Sequence, residues 1–396
     1  MITFEEAYRR VMLNTTDFGI EPVSLMQSTN RILAESVYAD RDFPPFNRST
    51  KDGIAINFDS FDKGIPYFEI EGIVSAGMPQ QKLEASEKCL EVMTGAVLPI
   101  NTDTIIMYED IQIIDGIATI KSLPNKGQNI HRRGEDKKQG AVLIEKGIRI
   151  SPADIGVLAS VGKENVLVKK MPRVCVISTG DELVPVSEIP LPHQIRTSNV
   201  LSLQASLRTE NITAMHLHLA DDKVSIEQKL AIALQEHDVL LLSGGVSKGK
   251  FDFIPEIMEE LGVDKIFHKV LQRPGKPFWF GRQEQLRTVV FSFPGNPVST
   301  FANYHIYFIP WLYNSLGVEN ESEFVILDED IPNTTSLTLF IPIKTRWEKG
   351  TLLANKIVNN GSGDLTSLSN SDGFICLPPQ EIPYYKGLLV PFIPSK

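Results

Sequence analysis

The sequence predicts a multidomain protein of α+β and α/β class, built around a central doubly wound parallel sheet. Three observations lead there. Between Pro172 and about Gly317, short apolar runs alternate with helical stretches, the mark of repeated βα units. From Gly53 to about Gly147, and again after Glu319, short alternating runs are punctuated by Gly, Pro, Asn and Asp; these read as two small β domains, one of them inserted. The chain has 396 residues, more than one ordinary hydrophobic core holds, which implies roughly two to four domains.

Taken in order, the N-terminus opens as a helix. Thr3 and Glu6 make a capping-box pattern, and Phe4, Ala7, Tyr8 and Val11 share one helical face. A second helix is expected over about Ser28 to Ala34. The run Asp42-Phe43-Pro44-Pro45-Phe46-Asn47 then breaks any regular pattern. Strands are expected within Tyr67 to Val74, Thr104 to Tyr108 and Ile111 to Ile120. A helix follows at about Pro152 to Val161, with Pro152 suited to the first turn after Ser151.

The α/β stretch begins with a buried strand, Val174 to Ile177. A helix (Leu201 to Arg208), a strand (Ile212 to Leu219) and a helix (Val224 to Glu236) come next. The strand Asp238 to Leu242 precedes a helix over Phe253 to Leu261. The strand Val289 to Phe293 precedes a mostly helical Ser299 to Tyr313. Such βα repeats imply a parallel sheet covered on both faces.

Composition narrows the function. With 39 Lys and Arg against 49 Asp and Glu, the formal net charge is −10, which argues against nucleic acid as a general partner. No apolar run approaches the roughly 20 residues that span a bilayer, and the aromatic stretch Tyr304 to Leu312 is broken by Pro310. The first residues lack the basic-then-apolar order of a secretory signal. Cys89, Cys175 and Cys376 are far apart and form no CxxC pair, so three reduced buried thiols in a cytoplasmic protein are expected.

In doubly wound sheets, ligands bind at the carboxyl ends of the strands. Three such ends carry small, polar, glycine-rich loops: Ser178-Thr179-Gly180-Asp181-Glu182, Ser243-Gly244-Gly245-Val246-Ser247-Lys248-Gly249 and Pro294-Gly295-Asn296-Pro297-Val298-Ser299. One such loop is an ordinary turn. Three on one sheet edge point to a phosphate-bearing ligand, because glycine lets the backbone approach an anion. None fits the Walker or GxGxxG pattern, which disfavours ordinary ATPase and NAD chemistry. Glu182 and Asp252 read as ligands for a hard divalent cation, since carboxylate beside phosphate repels without one. Asp221 and Asp222 follow a third strand, and Asp222 reads as a helix cap. Lys276, in Arg273-Pro274-Gly275-Lys276-Pro277, is a candidate anion ligand, and Arg132 with Arg133 makes a second cationic cluster. His216 and His218 share one strand face but lack an evident third ligand, so a structural role is expected.

Seven motifs in a fixed order carry a family resemblance: Pro44-Pro45-Phe46-Asn47-Arg48-Ser49-Thr50-Lys51-Asp52-Gly53, Met93-Thr94-Gly95-Ala96, Arg132-Arg133-Gly134-Glu135-Asp136, Ser178-Thr179-Gly180-Asp181-Glu182-Leu183, Ser243-Gly244-Gly245-Val246-Ser247, Pro274-Gly275-Lys276-Pro277 and Pro294-Gly295-Asn296-Pro297. Over essentially its full length the chain resembles the molybdopterin molybdenumtransferases, bacterial relatives of the C-terminal domain of gephyrin. The resemblance implies four domains: an elongated helical linker domain (1–45 with 145–171), the inserted β domain (46–144), a molybdopterin-binding-like α/β domain (172–318) and a small C-terminal β domain (319–396). It implies a homodimer whose active site lies between the α/β domain of one subunit and the inserted domain of the other. Adenylylated molybdopterin and molybdate would be the substrates, molybdenum cofactor and AMP the products, and Mg²⁺ the divalent cation.

By matching position, the resemblance points to Asp52, Asp136, Glu182, Asp221, Asp252 and Lys276 as catalytic residues, with Glu182 and Asp252 on the metal. It points to Thr94, Arg132, Ser178, Thr179, Gly180, Asp181, Ser198, Asn199, Ser243, Gly244, Gly245, Pro294, Gly295, Asn296, Pro297 and Ser299 as substrate-binding. The upstream adenylyltransferase and apo-molybdoenzymes are the protein partners this implies, with neither nucleic acid nor membrane involved. Three positions depart from the family pattern: His131 where relatives often have arginine, Thr197 where they have a carboxylate, and Lys51 where the residue is usually small or apolar. Two rivals share the resemblance. One is the adenylyltransferase of the same pathway, which the α/β domain alone resembles; the other is a non-catalytic scaffold like gephyrin.

Overall fold

The computed structural model describes residues 1–246, 253–319 and 322–396. Its centre is a six-stranded sheet in the order Met215–Leu219, Val174–Thr179, Val239–Ser243, Thr288–Phe293, Trp279–Gln283, Asp264–His268. The first four strands are parallel, and Trp279–Gln283 runs antiparallel to both its neighbours, Thr288–Phe293 and Asp264–His268. Alternate residues supply two cores. Val174, Val176, Val239, Leu241, Val289 and Phe291 face helices Ser198–Thr209 and Pro297–Asn303. Cys175, Ile177, Leu240, Leu242 and Val290 face helices Lys223–Glu236 and Ile254–Glu260. Strands buried on both faces are why these segments read as unbroken apolar runs. Each such side chain contributes about 1.5–3 kcal/mol of transfer free energy.

The expected strands and helices of this segment form, with shifted ends. Helix Ser198–Thr209 starts three residues before the expected Leu201. The two antiparallel strands were not foreseen, because Asp264-Lys265-Ile266-Phe267-His268 mixes charge into a short run. The stretch expected as one helix over Ser299 to Tyr313 is three pieces: Pro297–Asn303, a wide π turn over Tyr304–Phe308, and Ile309–Ser315. Pro310 has no amide to donate, and the wide turn sets it in the opening turn of the last piece, where none is needed.

The helix expected over Ser28 to Ala34 does not form. A 3₁₀ turn, Leu25–Ser28, leads to Asn30 at φ 62°, and Ile32 and Leu33 bridge to Arg149 and Val168. Both side chains are buried, so tertiary pairing outweighs local helical preference here. Leu33, Val37, Ile144, Leu158, Val166 and Val168 make one small core beside the antiparallel pair Ile20–Ser24 and Asn165–Lys169. The first helix, Phe4–Met12, instead packs Ala7 and Val11 into the α/β core. Thr3 caps it by accepting from the Glu6 amide, while the Glu6 carboxylate pairs with Arg9 and Arg10 rather than closing the box.

A second six-stranded sheet lies within residues 53–120, in the order Thr104–Met107, Gly53–Ile56, Lys88–Val92, Tyr67–Val74, Ile117–Ile120, Ile111–Ile114. In the C-terminal sheet, Thr338–Glu348 pairs with both Thr351–Lys356 and Gly373–Leu377. The remaining strands, Glu323–Leu327 and Leu389–Pro394, complete the ring. Closure removes free sheet edges. The short strand Gln272–Arg273 of the central segment adds to it alongside Thr338–Leu339.

Candidate functional site

Parallel register puts the strand ends level: Ser178 lies beside Ser243, and Ser243 beside Phe293. The loops that leave these ends enclose a cavity of about 430 Å³. Of the residues expected to bind substrate, Ser178, Thr179, Gly180, Ser198, Asn199, Ser243, Gly244, Gly245, Gly295, Asn296 and Pro297 line it, and so do the acids Glu182 and Asp221.

The loops approach closely because their glycines permit it. Gly244 has φ +103°, and a Cβ there would stand 2.6 Å from Thr179 Oγ1. Two amides close the strand ends: Gly180 N–H donates to Leu219 O at 3.3 Å and Gly244 N–H to Phe293 O at 3.0 Å. Those two are therefore occupied within the sheet. The Asp181, Glu182 and Gly245 amides have no backbone partner among the described residues. Asn199 acts as a staple: its amide nitrogen donates to Ser243 Oγ at 2.9 Å and to Gly295 O at 2.7 Å, joining a helix start to two strand ends.

Asp181, expected to bind substrate, does not line the cavity, and its Oδ1 accepts from the Asp221 amide at 3.1 Å. That bond ties the two acidic loops together. Glu182 and Asp221 are exposed at the cavity, and oxygen donors of this kind suit a hard divalent cation. Among the described residues no three His, Cys, Asp or Glu side chains converge on one point. A cation here would complete its shell with phosphate oxygens and water, the usual habit of Mg²⁺. Asp252, expected as the second ligand, lies outside the described residues, as do Ser247, Lys248 and Gly249.

Other expected residues lie elsewhere. Pro294 and Ser299 are buried and do not line the cavity; Pro294 O accepts from Thr300 Oγ1. Lys276 is exposed on its turn, outside the lining. Asp52, Thr94, Arg132 and Asp136 belong to the inserted segment and do not reach the cavity of their own chain. They make separate local polar contacts instead. Asp52 Oδ1 accepts from Thr94 N–H at 2.6 Å and from Thr94 Oγ1 at 2.9 Å, and the amide bond above all holds this carboxyl below its usual range. Asp136 pairs with His131 Nε2 at 2.9 Å, and His131 Nδ1 meets the Arg48 guanidinium at 3.2 Å. His131 thus bridges Arg48 to Asp136.

The sequence reading missed part of the lining. Arg196 is the cavity's one cation among the described residues, and its Nε donates to Glu188 O at 3.1 Å. Thr197 lines the cavity beside it, and Leu183, Ile195, Val200, Ile226 and Ile254 give an apolar wall. A lone arginine in a Pro-rich loop carries no signal in the chain; only its position three residues before Asn199 could have raised it. His216 and His218 do not converge on an acid: His216 Nε2 and His218 Nδ1 both meet Ser178 Oγ, at 3.1 and 3.0 Å. Burial, then the neighbouring His218, lowers the His216 pKa. No described helix is long and apolar enough to cross a membrane.

Comparison with known proteins bears on the same residues. Residues 2–162 match the MoeA N-terminal region (domain I and II), residues 175–314 the probable molybdopterin binding domain, and residues 325–395 the MoeA C-terminal region (domain IV). The molybdopterin molybdenumtransferase of Synechocystis sp. is 37% identical, covering 99% of each chain. That of Bacillus subtilis is 32% identical over 95% of this chain and 90% of its own. The crystal structure of the molybdopterin biosynthesis moeA protein from Pyrococcus horikoshii OT3 superposes with a TM-score of 0.82 at 28% identity, covering 100% of both chains. The cavity sits in the segment matched to the molybdopterin-binding domain, the acids of the inserted sheet sit in the segment matched to the N-terminal region, and the chain belongs to the molybdopterin molybdenumtransferase family.

Proposed function

We propose that this chain inserts molybdate into adenylylated molybdopterin with release of AMP, the closing step of molybdenum cofactor assembly. One observation carries the proposal: a cavity built from three strand-end loops, with two carboxylates and one arginine, in a chain that shares full length with named molybdenumtransferases. The Glu182 and Gly245 amides and the Arg196 guanidinium hold the phosphates. The wall of Val200, Ile226 and Ile254 takes a flat apolar ring system. Glu182 and Asp252 would hold Mg²⁺, and the bound cation would supply charge neutralisation on the phosphoanhydride. Lys276 presents its ammonium to the incoming oxyanion. Holding both substrates in register and keeping water out is the protein's share of the rate.

A homodimer completes the site. Asp52 and Asp136, which do not reach their own chain's cavity, serve the cavity of a second copy. We place the reaction in the cytoplasm, with the adenylyltransferase upstream and apo-molybdoenzymes as recipients. The test is a reconstitution with adenylylated molybdopterin, low molybdate and Mg²⁺, scored by AMP release and activation of an apo-molybdoenzyme. Glu182→Gln is expected to abolish both at limiting Mg²⁺. Wild-type transfer by that folded variant would refute the metal assignment, and no transfer by the unaltered chain would refute the function.

A further inference from the structure

The turn that carries Lys276 is gripped from beneath by polar side chains set in an aromatic core. Gln272, Asn303 and Tyr307 are all fully buried. Around them stand Phe278, packed on Tyr307 at 4.7 Å between ring centroids, and Phe4, at 6.0 Å from the same ring. Their polar atoms are engaged with one another and with the turn. Gln272 Nε2 donates to Pro274 O at 3.0 Å and to Asn303 Oδ1 at 2.8 Å. The Tyr307 hydroxyl donates to Gln272 Oε1, and Asn303 Nδ2 donates to Gly275 O at 3.4 Å. Two successive carbonyls of the turn are thus held from below. Burial pushes the Tyr307 hydroxyl well above its usual pKa, so it stays a donor.

The fit is tight. Gly275 has φ +87°, and a Cβ there would stand 2.4 Å from Asn303 Oδ1, so the amide fills the space a side chain would need. From above, Val270 N–H donates to Lys276 O at 2.9 Å. The Lys276 side chain itself makes no hydrogen bond or ion pair among the described residues and is exposed. The backbone is fixed while the charge is left free. Asn303 closes the helix that starts at cavity-lining Pro297, so the grip also links the turn to the cavity wall.

A core built only for stability would use apolar groups here, since burying three polar side chains gains little even when all are bonded. Such a network does specify one geometry. We propose that Gln272, Asn303 and Tyr307 are positioning residues that set the Lys276 ammonium where the oxyanion substrate binds. Gln272 also joins this arrangement to the C-terminal sheet, because its backbone pairs with Thr338 while its side chain holds the turn. The inference rests on the reading of Lys276 as the oxyanion's cation.

The experiment is a double-mutant cycle on the full chain, read as KM for molybdate and as kcat in the reconstituted transfer. Lys276→Ala is read first and is expected to raise the molybdate KM. Gln272→Leu is expected to raise it about tenfold, with kcat at saturating molybdate within about twofold, because a displaced cation weakens binding before it slows chemistry. In the Lys276→Ala background, Gln272→Leu should add no further rise. Should Gln272→Leu fail to fold, Asn303→Ala and Tyr307→Phe carry the same cycle, with smaller rises expected. An unchanged KM in Lys276→Ala overturns the reading of Lys276 and the inference with it. If Lys276→Ala raises KM while the grip variants do not, or if their effects multiply with it, the positioning role alone is overturned.

Discussion

Arg196 and Glu182 show how single charges shape the cavity. A cavity that offers Glu182 and Asp221 to a phosphate needs positive charge, and among the described lining residues only Arg196 has it. Its Nε is committed to Glu188 O, which leaves the terminal nitrogens for a ligand. Charge-assisted hydrogen bonds contribute about 1.5–3 kcal/mol, so Arg196→Ala should weaken AMP binding by about tenfold or more in calorimetry. Arg196→Lys should recover only part of this, because an ammonium lacks the planar fork. Equal affinity in all three proteins would remove Arg196 from the phosphate site. Asp52 gives a second residue-scale test. Bonds from Thr94 lower its pKa, so the carboxylate is favoured in the folded chain, and that preference is present at neutral pH and lost as pH falls through the folded value. Thr94→Val removes the hydroxyl bond and keeps the amide bond. NMR titration should find the Asp52 pKa higher in that variant, and an unchanged value would mean that the hydroxyl contributes nothing.

Helices and strands were legible in the sequence where burial is two-sided or capping is local. Val174 to Ile177 and Val239 to Leu242 are continuous apolar runs because both sheet faces are covered. Pro152 to Ser160 was legible from Ser151, whose hydroxyl and Asp154 form a reciprocal cap. Ser28 to Ala34 was not, because its bridges to Arg149 and Val168 lie more than a hundred residues away. The site divides in the same way. Glycine loops announce Ser178, Gly180, Ser243 and Gly295, whereas Arg196 depends on a loop path that no local pattern encodes. The π turn Tyr304–Phe308 was also invisible, and it carries a measurable property. Burial lowers the pKa of its His305 from 6.5 to about 4, and His305 Nε2 finds no partner among the described residues. The unfolded chain binds this proton first as pH falls, so stability should drop between about pH 6.5 and 4, by up to about 3 kcal/mol. His305→Leu should flatten that window in urea unfolding at several pH values. An unchanged slope would show that the ring titrates normally.

At the scale of the whole molecule, one chain separates what one reaction needs. The central sheet carries the cavity, the inserted segment carries Asp52 and Asp136, and neither acid lines the cavity of its own chain. The proposed twofold dimer would resolve this, because an isologous pair offers each cavity the other subunit's insert. The most direct test mixes two inactive variants, Glu182→Gln with a spoiled cavity and Asp52→Ala with a spoiled insert, after unfolding and joint refolding. In a statistical mixture half the dimers are mixed, and each has one intact cavity facing one intact insert, so transfer should return to about a quarter of the wild-type rate. A mixture as inactive as its two components would contradict a site shared between subunits, and an Asp52→Ala chain that is fully active alone would remove the insert from the chemistry.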